Sequence, residues 1–555
     1  MLRNLLLVHL LIFCVGASAQ SPLTSNYFNY HLIDRTEIET GELNTKLFTG
    51  VKPFRRDQVA YTVGQIDQRS SSHNFNRNYL NADQPEFSQY GEVLQRKPIL
   101  KSFYEMENAL YTLGYQGEDG KLQLSINPVL SMGGGIDQKD SVNPYINSRG
   151  LVIRGQIGDK LGFFTQAMEN QQRFLNYQRT DIDQSGVVPQ AGLHKSFGYL
   201  GEDYFTVKGY ITFSPIKEIM VQFGHDQNFI GNGYRSLILS DQAKAYPFLK
   251  FNTKVWKINY MNLFMEHVDF NGESEGRSLS RKFSALHHFS INVGKNLTLG
   301  IFENIVFDRQ DSTENNRYEI QYLNPIIFYR AVEHGLNSTD NAILGLDWKW
   351  NFLKKFSFYG QFVFDEFVKN EFVKLSDHWT NKWAYQAGLK YINVAGINNL
   401  DAQVEMNHVR PYVYSHRFKS QNWAHYNQAL AHPYGSNFRE IIAIIRYQPY
   451  PRWNIEFFYS TTKQGVDSSR KTNIYGANIL NSNSDILDKN NAPMFQGLEK
   501  QVQLMQLHSS YMLFHNLFID LRVLQRSQTL SGLTETENMY FSIGLRLNAN
   551  RQKLY

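Results

Sequence analysis

Apolar and polar residues alternate along many short segments of this chain, and tight turns join the segments in pairs. In the segment 149–167, RGLVIRGQIGDKLGFFTQA, one side of the first arm carries Leu151, Ile153 and Ile157, and the other side carries Arg154. A period of two that ends in a Gly-Asp-Lys turn predicts a β-hairpin. The pattern leaves open whether protein or lipid covers the apolar side.

The same unit repeats from about residue 120 to the end of the sequence. Eight tight turns carry Gly, Asn, Asp, Pro or Lys, at 158–160, 214–218, 252–254, 294–296, 351–355, 393–398, 448–452 and 514–516. Much longer polar segments separate the hairpins, such as 171–202, 308–340, 409–438 and 462–499. Eight hairpins, a first strand near 120–132 and a last strand near 538–548 give eighteen antiparallel strands. Residues 106–116 also alternate, so we expect an accessory strand there or a twentieth strand elsewhere.

Composition favours lipid over a dry protein core. The chain is 42% hydrophobic with a mean hydropathy of -0.43, yet 14% of its residues are aromatic. Low hydropathy, many aromatic residues, short turns on one rim and long loops on the other are typical of outer-membrane barrels. The sequence therefore predicts an all-β fold, a transmembrane antiparallel β-barrel of about 18 strands with a polar interior, short periplasmic turns and long extracellular loops.

The first residues have the pattern of a secretory leader. A basic Arg3 precedes an apolar run at 5–15 and a small-residue site that ends at Ala19, so we expect a signal peptide at 1–19. Cys14, the single cysteine, lies within it. Residues 20–105 are polar and irregular, which predicts an N-terminal segment in the periplasm or at the barrel mouth. The barrel is expected over 106–555, in the bacterial outer membrane.

Motifs for catalysis or for nucleotide binding are not recognisable in the sequence. A net charge of +5 is small for 555 residues and gives no reason to expect nucleic acid as a partner. The stretch IGNGYRS, at Gly231 and Gly233, lacks the third glycine of a phosphate-binding loop. We expect no catalytic residue, no cofactor and no metal, although a barrel phospholipase with separate Ser, His and acidic groups stays open. The loop histidines do not have metal-ligand spacing: His408, His416, His425 and His432.

The long loops combine aromatic residues with Asn, Gln, Asp and Arg. Examples are GHDQNFIGNGYRSLILSD, YLNPIIFYRAVEHGLNSTDN and HYNQALAHPYGSNFRE. Flat aromatic faces beside hydrogen-bonding groups suit glycans, which offer C–H faces and hydroxyls. The same residues would equally serve to pack the loops on one another or to plug the lumen.

These stretches, in this order, resemble the Wzi-type capsule assembly family, in particular its branch of gliding-motility proteins of the RemB type. The resemblance covers most of the chain from about residue 110. It implies an eighteen-stranded outer-membrane barrel that holds exported polysaccharide at the cell surface. The positions that match the loop motifs are then expected to fix loops or contact glycan: Arg235, Asp241, Asn324, Arg330, Glu333, Asp340, Asn341, Arg410, His432, Asn437 and Glu440.

The leading hypothesis is a non-enzymatic barrel whose extracellular loops bind surface polysaccharide, in capsule assembly, adhesion or gliding. Outer-membrane lipid and surface polysaccharide are its expected partners. One alternative is an accessory subunit of an outer-membrane secretion or motility complex, because Tyr, Trp and Arg also anchor protein interfaces. Another alternative is a passive channel, because an eighteen-stranded barrel is wide enough for an aqueous lumen.

Overall fold

The computed structural model of the chain describes residues 27–66, 70–82, 111–117, 120–270, 279–308, 317–326, 328–336, 338, 340–365, 369–374, 376–469, 471–533 and 535–552, the side chains of 27–28, 111–117, 120, 330, 333–334 and 369–370 excepted. The predicted leader at 1–19 and residues 83–110 lie outside these ranges.

Helices and strands follow one another along the described residues with the following bounds. The helices are α1 (Tyr27–Thr40), α2 (Arg56–Gly64), α3 (Ser71–Ala82), α4 (Asn176–Ser185), α5 (Tyr329–Leu336) and α6 (Lys369–Val373), with 3₁₀ turns at Ile320–Leu323, Val394–Gly396 and Lys419–Gln421. The strands are β1 (Val51–Lys52), β2 (Tyr111–Gly117), β3 (Gly120–Asp137), β4 (Tyr145–Ile157), β5 (Leu161–Arg173), β6 (Lys195–Phe197), β7 (Gly201–Ile216), β8 (Ile219–Asp226), β9 (Phe229–Ile230), β10 (Tyr246–Val255), β11 (Ile258–Asp269), β12 (Ser280–Val293), β13 (Leu297–Phe307), β14 (Asn341–Phe352), β15 (Phe356–Asp365), β16 (Trp383–Tyr391), β17 (Leu400–Val409), β18 (Ala424–His425), β19 (Gln428–Ala429), β20 (Phe438–Tyr450), β21 (Trp453–Val466), β22 (Leu498–Phe514), β23 (Leu517–Leu530) and β24 (Thr536–Leu547).

Eighteen of the described strands close into one antiparallel barrel. Each long strand pairs with its neighbour along the chain, and β24 pairs with β3 to complete the ring. The eight tight turns join strands at one rim, and the long connections lie at the other rim, which confirms the predicted architecture. None of the helices in the described ranges has the length and the apolar run that a membrane-spanning helix needs.

One predicted turn is wrong by a few residues. The turn expected at 252–254 lies at 256–257, because β10 continues to Val255. Asn252 and Lys254 are polar because they face the lumen, and Lys254 donates a hydrogen bond to the carbonyl of Thr45 at 2.6 Å. A polar pair on the inner face of a strand therefore resembles a turn in the sequence.

Alternation places apolar residues on the outside of the barrel, as the sequence predicts. In β4, Leu151 and Ile157 are exposed on the outer face, and Gln156 on the opposite face is buried. Apolar residues exposed in this way are stable only against hydrocarbon. The accessory strand β2 pairs with the first part of β3, on the edge that β24 occupies further along.

Residues 27–40, 56–64 and 71–82 form helices, which the polar and irregular sequence of 20–105 did not predict. Helices α1, α2 and α3 form a small apolar core with Met512 and Phe518 of the barrel. The polar stretch at the start of α3 forms a helix because the hydroxyl of Ser70 accepts the backbone N–H of His73 at 3.2 Å, as an N-terminal cap does.

These helices lie at the rim of short turns. Arg35 donates to Asn393 at 2.5 Å, Tyr79 donates to Asn516 at 2.9 Å, and the backbone of Leu43 donates to the carbonyl of a residue in the β12–β13 turn at 2.7 Å. Each acceptor belongs to a short turn. Residues 27–66 and 70–82, which we call the helical segment, therefore cover this mouth of the barrel.

The interior is not uniformly polar. A large apolar cluster combines the inner faces of β10 to β17 with residues from the connections 227–245 and 410–437, among them Leu237, Leu239, Val413 and Trp423. Long connections therefore fold into the lumen and form a dry core there. The sequence expectation of a wet interior is correct for the polar strand faces and wrong for this part of the lumen.

Candidate functional site

The connection 227–245 enters the lumen through two close approaches of its backbone to the wall. A side chain at Gly231, which has a φ of 137°, would lie 2.5 Å from the amide nitrogen of Gln361, and one at Gly233 would lie 2.5 Å from a carboxylate oxygen of Glu405. Glycine is required because only its backbone fits so near the wall. The IGNG stretch therefore packs a loop against strands.

Two wall residues hold this connection in place. Glu405 on β17 accepts the backbone N–H groups of Tyr234 and Arg235 at 2.7 and 3.0 Å. Gln361 on β15 accepts the N–H of Leu237 at 2.7 Å and donates to the carbonyl of Ile230 at 2.9 Å. Backbone groups that water cannot reach are thereby satisfied by the barrel wall.

Three of the predicted site residues meet in one buried cluster. The guanidinium of Arg235 donates to both carboxylate oxygens of Glu440, at 2.8 and 3.2 Å. His432 donates from Nε2 to the same carboxylate at 2.7 Å. The side chains of Glu440 and His432 are fully buried and that of Arg235 is 3% exposed. Because the cluster joins 227–245, 410–437 and β20, its geometry favours the loop-fixing role.

His432 is neutral in this cluster. Burial lowers the pKa of His432, and this effect outweighs the opposite influence of Glu440. Its Nδ1 accepts the backbone N–H of Tyr434 at 3.3 Å, which leaves the proton on Nε2 to face the carboxylate. The charge of Glu440 is thus balanced by one cation, Arg235.

The connection 410–437 is tied to its neighbours in the same way. Tyr414 donates its hydroxyl to the carbonyl of Leu237 at 2.7 Å, and the indole of Trp423 donates to that of Ile238 at 2.9 Å. Arg410, a predicted site residue, donates to Asp377 at 3.2 Å and to backbone carbonyls of two other connections. Burial lowers the pKa of Arg410, and the carboxylate of Asp377 acts in the opposite direction.

Asn437 is the most connected of the predicted residues. Its amide nitrogen donates to the carbonyls of Gly465, Tyr475 and Gln496 at 2.9 to 3.1 Å, and its oxygen accepts the N–H of Phe495 at 2.7 Å. It is buried with a φ of 57°, a conformation that asparagine tolerates. It therefore holds the 467–497 connection against β20.

The remaining predicted residues lie elsewhere. Asp340 accepts the hydroxyl of Tyr322 at 2.7 Å, and Asn341 donates to the carbonyl of Gln421 at 3.0 Å. Asp241 is buried, and its carbonyl accepts two glutamine amides. Asn324 is exposed and accepts the N–H of Ile326. Arg330 and Glu333 lie on α5, and their side chains are outside the described residues. Contact of any of these residues with a glycan stays a prediction.

Sequence reasoning missed the residues that hold the loops from the strands. Glu405 and Gln361 occupy lumen-facing positions, where a polar residue is the ordinary expectation for a barrel. Their partners are 124 to 171 positions away in the sequence. One signal was available, since a carboxylate in the middle of a strand without a cation beside it indicates a specific partner.

His408 lies near the end of β17, so the expectation that it shares a loop with His416, His425 and His432 is wrong. His425 accepts the N–H of Val268 at 2.9 Å, and His408 accepts the guanidinium of Arg439 at 3.4 Å. Burial lowers the pKa of His425 to about 3, so it is neutral. In the ranges that the structure describes, no group of three or more His, Cys, Asp or Glu residues is placed to hold a metal ion.

A cavity of about 530 Å³ lies in the lumen, between the helical segment and the connections. Paired charges line it, such as Arg446, which donates to Glu456 at 3.0 Å, and Arg546, which donates to Asp520 at 2.9 Å. Because the helical segment covers one mouth and the connections pack at the other, the cavity is a pocket within a filled lumen.

On the loop rim, aromatic residues remain exposed. Phe197 and Tyr199 lie at the tip of the ribbon formed by β6 and the start of β7, and Phe418 lies beside Arg417, whose guanidinium is 4.7 Å from its ring. The buried clusters below fix the positions of these loops. The rim is therefore a prearranged surface of aromatic and cationic groups.

Comparison with known families identifies the chain. The model of the family described as capsule assembly protein Wzi matches residues 153–525, more than half of the sequence. The chain belongs to the Wzi capsule assembly family. The match spans β4 to β23 and includes every predicted site residue, and the protein is accordingly an outer-membrane barrel.

One solved structure shares the fold of this Wzi family member, and two others are less similar. Wzi of Escherichia coli, described as a carbohydrate-binding barrel involved in group 1 capsule assembly, has a TM-score of 0.58 and 11% identity, covering 96% of this chain and 100% of that chain. OprD from Pseudomonas aeruginosa has a TM-score of 0.41 and 9% identity, covering 76% and 92%. OpdK of the same organism has a TM-score of 0.41 and 10% identity, covering 78% and 99%. Comparison with the curated proteins finds no match.

Proposed function

We propose that this protein is a non-enzymatic outer-membrane barrel that binds surface polysaccharide on its extracellular loops during capsule assembly. The observation that carries the proposal is the buried network beneath the loops, centred on Arg235, Glu440 and His432. It orders the loops before a ligand arrives, so that binding does not have to cover the entropic cost of ordering them. The carbohydrate-binding Wzi of Escherichia coli and the family match agree with this role.

The contact surface in this proposal is the exposed rim. Tyr199 and Phe418 offer ring faces for the C–H faces of sugars, and Arg417 offers donors for hydroxyl or acidic groups. Individual contacts of this kind are weak. A polymer presents the same unit many times, so simultaneous contacts raise the overall affinity.

The buried predicted residues act indirectly in this proposal. Arg235, Glu440, Asn437 and Arg410 hold the connections 227–245, 410–437 and 467–497, and the second of these carries Arg417 and Phe418. Tyr199 lies on a different connection, 174–200, which a buried apolar cluster with Phe174 and Ile182 holds. The filled lumen beneath disfavours a passive channel. Adhesion, gliding and membership of a secretion or motility complex are further roles that the same rim would serve. Retention of polysaccharide and co-purification of proteins distinguish them.

The test uses purified protein in nanodiscs and surface polysaccharide from the same cells. Tyr199→Ala removes an aromatic side chain, 70% exposed, at the loop rim, and the matched control Tyr450→Ala removes one, 65% exposed, at the short-turn rim. We expect Tyr199→Ala to weaken polysaccharide retention, and Tyr199→Ala with Phe418→Ala to weaken it further, while Tyr450→Ala retains it.

Two results would contradict the proposal. Retention that is absent from the unmodified protein would exclude polysaccharide as the ligand. Equal retention by the two tyrosine variants would exclude the rim as its site. Proteins that co-purify in mild detergent without polysaccharide would instead support the role of a complex subunit.

A further inference from the structure

One long connection lies on the outside of the barrel. We define the wall loop as residues 317–326 and 328–336, which contain the 3₁₀ turn Ile320–Leu323 and α5. In β13, Leu299 and Ile301 are exposed, which marks the odd-numbered residues as the outward face. Glu303 and Ile305 therefore also point away from the lumen.

Hydrogen bonds and ring contacts place the wall loop against this outward face. The backbone N–H of Tyr329 donates to the carboxylate of Glu303 at 2.8 Å. The ring of Tyr329 lies 3.9 Å from that of His287, which pairs with Glu303 across the β12–β13 register. The hydroxyl of Tyr260 on β11 donates to the carbonyl of Pro325 at 2.5 Å.

The wall loop buries part of the barrel's outer surface. Tyr322, Tyr329 and Val332 pack with outward residues of the wall, including Phe264 and Ile305. Ile305 is fully buried, whereas Ile301, two outward positions nearer to the short turn, is 56% exposed to the surroundings. The wall loop covers Ile305 and leaves Ile301 uncovered, which accounts for the difference in their exposed fractions.

The covered area lies within the height of the bilayer. Glu303 is six residues above the start of β13 at Leu297, which is roughly 20 Å along the strand and, at a tilt near 40°, about 15 Å along the barrel axis. The apolar band of such barrels is about 25 Å tall. Without the loop, Glu303, His287 and Asn262 would present a carboxylate, an imidazole and an amide to hydrocarbon.

The free side of the wall loop is apolar. Ile320, Leu323, Ile326 and Phe328 are 76%, 41%, 83% and 74% exposed. Loops that face water seldom expose so many large apolar side chains together. This face continues the lipid-exposed belt of β13 and β14, where Leu299, Ile301 and Leu346 are exposed.

We propose that the wall loop is embedded in the outer leaflet, where its apolar side replaces the barrel wall as the surface that contacts lipid acyl chains. It separates the polar wall residues from the acyl chains, and Ile320, Ile326 and Phe328 contact the acyl chains in their place. The occupant of this surface is the bilayer lipid itself. The inference does not depend on polysaccharide binding.

The experiment measures the depth of a nitroxide on single cysteines in liposomes. Cys14 is the only cysteine and lies in the predicted leader, so the mature chain accepts a label at any chosen site. The test sites are Ile326→Cys and Phe328→Cys, with Ile301→Cys as the lipid reference and Tyr199→Cys as the water reference. We expect both test labels to collide readily with oxygen and to lose access to a water-soluble nickel chelate, as at Ile301.

Other outcomes would overturn the inference. Nickel access equal to that at Tyr199 would place the loop in water. Low access to both oxygen and nickel would show that a protein, such as a second copy of this chain, covers the face. Tyr329→Ala, combined with the label at 326, is a second variant: it removes the contact with His287, and nickel access should rise while the barrel reference at 301 stays unchanged.

Discussion

Glu440→Gln is the sharpest test of the buried network. The carboxylate accepts Arg235 through two oxygens and His432 through one, and it is fully buried. Glutamine keeps the size but replaces one acceptor oxygen with an amide donor that faces other donors. Removing one partner of a buried ion pair costs about 3–5 kcal/mol, because the remaining charge keeps its desolvation penalty.

That cost falls on the loops more than on the barrel. Strand pairing is unaffected, so the loss appears as more frequent opening of 227–245 and 410–437. At about 1.4 kcal/mol per tenfold change, 3–5 kcal/mol corresponds to an opening that is roughly a hundred to several thousand times more populated. Hydrogen–deuterium exchange of the amides at 228–239, read by mass spectrometry in nanodiscs, measures this population.

The matched control is Glu499→Gln, which breaks the exposed pair between Glu499 and Lys463, 2.9 Å apart on neighbouring strands. Its side chains are 39% and 44% exposed, and because water screens such a pair only a small change is expected. Unchanged exchange at 228–239 in Glu440→Gln would refute the claim that this cluster holds the loop. Equally faster exchange at 228–239 in Glu440→Gln and in Glu499→Gln would show that the loss of any negative charge causes the effect.

Further expectations concern the helical segment, acid and a single hydroxyl. Lys349→Met removes the cation that lies 3.4 Å from Asp34 and 2.5 Å from Glu37, and the loss of this buried ion pair should destabilise the helical segment by about 3–5 kcal/mol. We expect proteases to cleave the helical segment while the barrel keeps its folded gel mobility. Because the pKa of His425 is low in the folded protein, only the unfolded chain takes up a proton at this residue as the pH falls. The free energy of unfolding should therefore drop by about 1.4 kcal/mol per pH unit from pH 6.5 towards pH 3. Thermal melts of His425→Gln should lack this contribution to the pH dependence. Tyr414→Phe leaves a buried carbonyl without its donor and should lower stability by about 1–3 kcal/mol in the same melts, whereas an unchanged melting temperature would contradict the bond.

The barrel could be predicted because its signals are local. Alternation within one arm and turn residues such as those at 158–160 are visible in a window of ten residues, and the parity of a closed ring favoured eighteen strands while leaving twenty open. The same local view failed at 252–254, where Asn252 and Lys254 are polar because they face the lumen.

The helical segment was missed for a related reason. Apolar residues of α1 occur on several sides of the helix, because Ile33 faces the core of the segment while Ile38 is buried elsewhere. A helix surrounded by protein shows little periodicity of hydrophobicity. Irregular texture in a sequence is therefore also typical of a buried helix.

The arrangement of the predicted site residues could not be predicted from the sequence, and their contact with a glycan stays a prediction. Loop motifs singled out Arg235, His432 and Glu440, and the structure brings these three together. The inward folding of 227–245 depends on Gln361 and Glu405, which are 124 to 171 positions away from their partners. The outward folding of the wall loop depends on partners 26 to 65 positions away. Gln361 carries no local mark of its role.

The pairing of β1 with β9 joins the two ends of the lumen. Val51 comes from the helical segment at one mouth, and Ile230 comes from a connection of the opposite rim. Lys52 adds a hydrogen bond to the carbonyl of Gly231 at 2.9 Å. The backbone pairing thus links the two mouths of the lumen, so a displacement at one mouth is transmitted to the other.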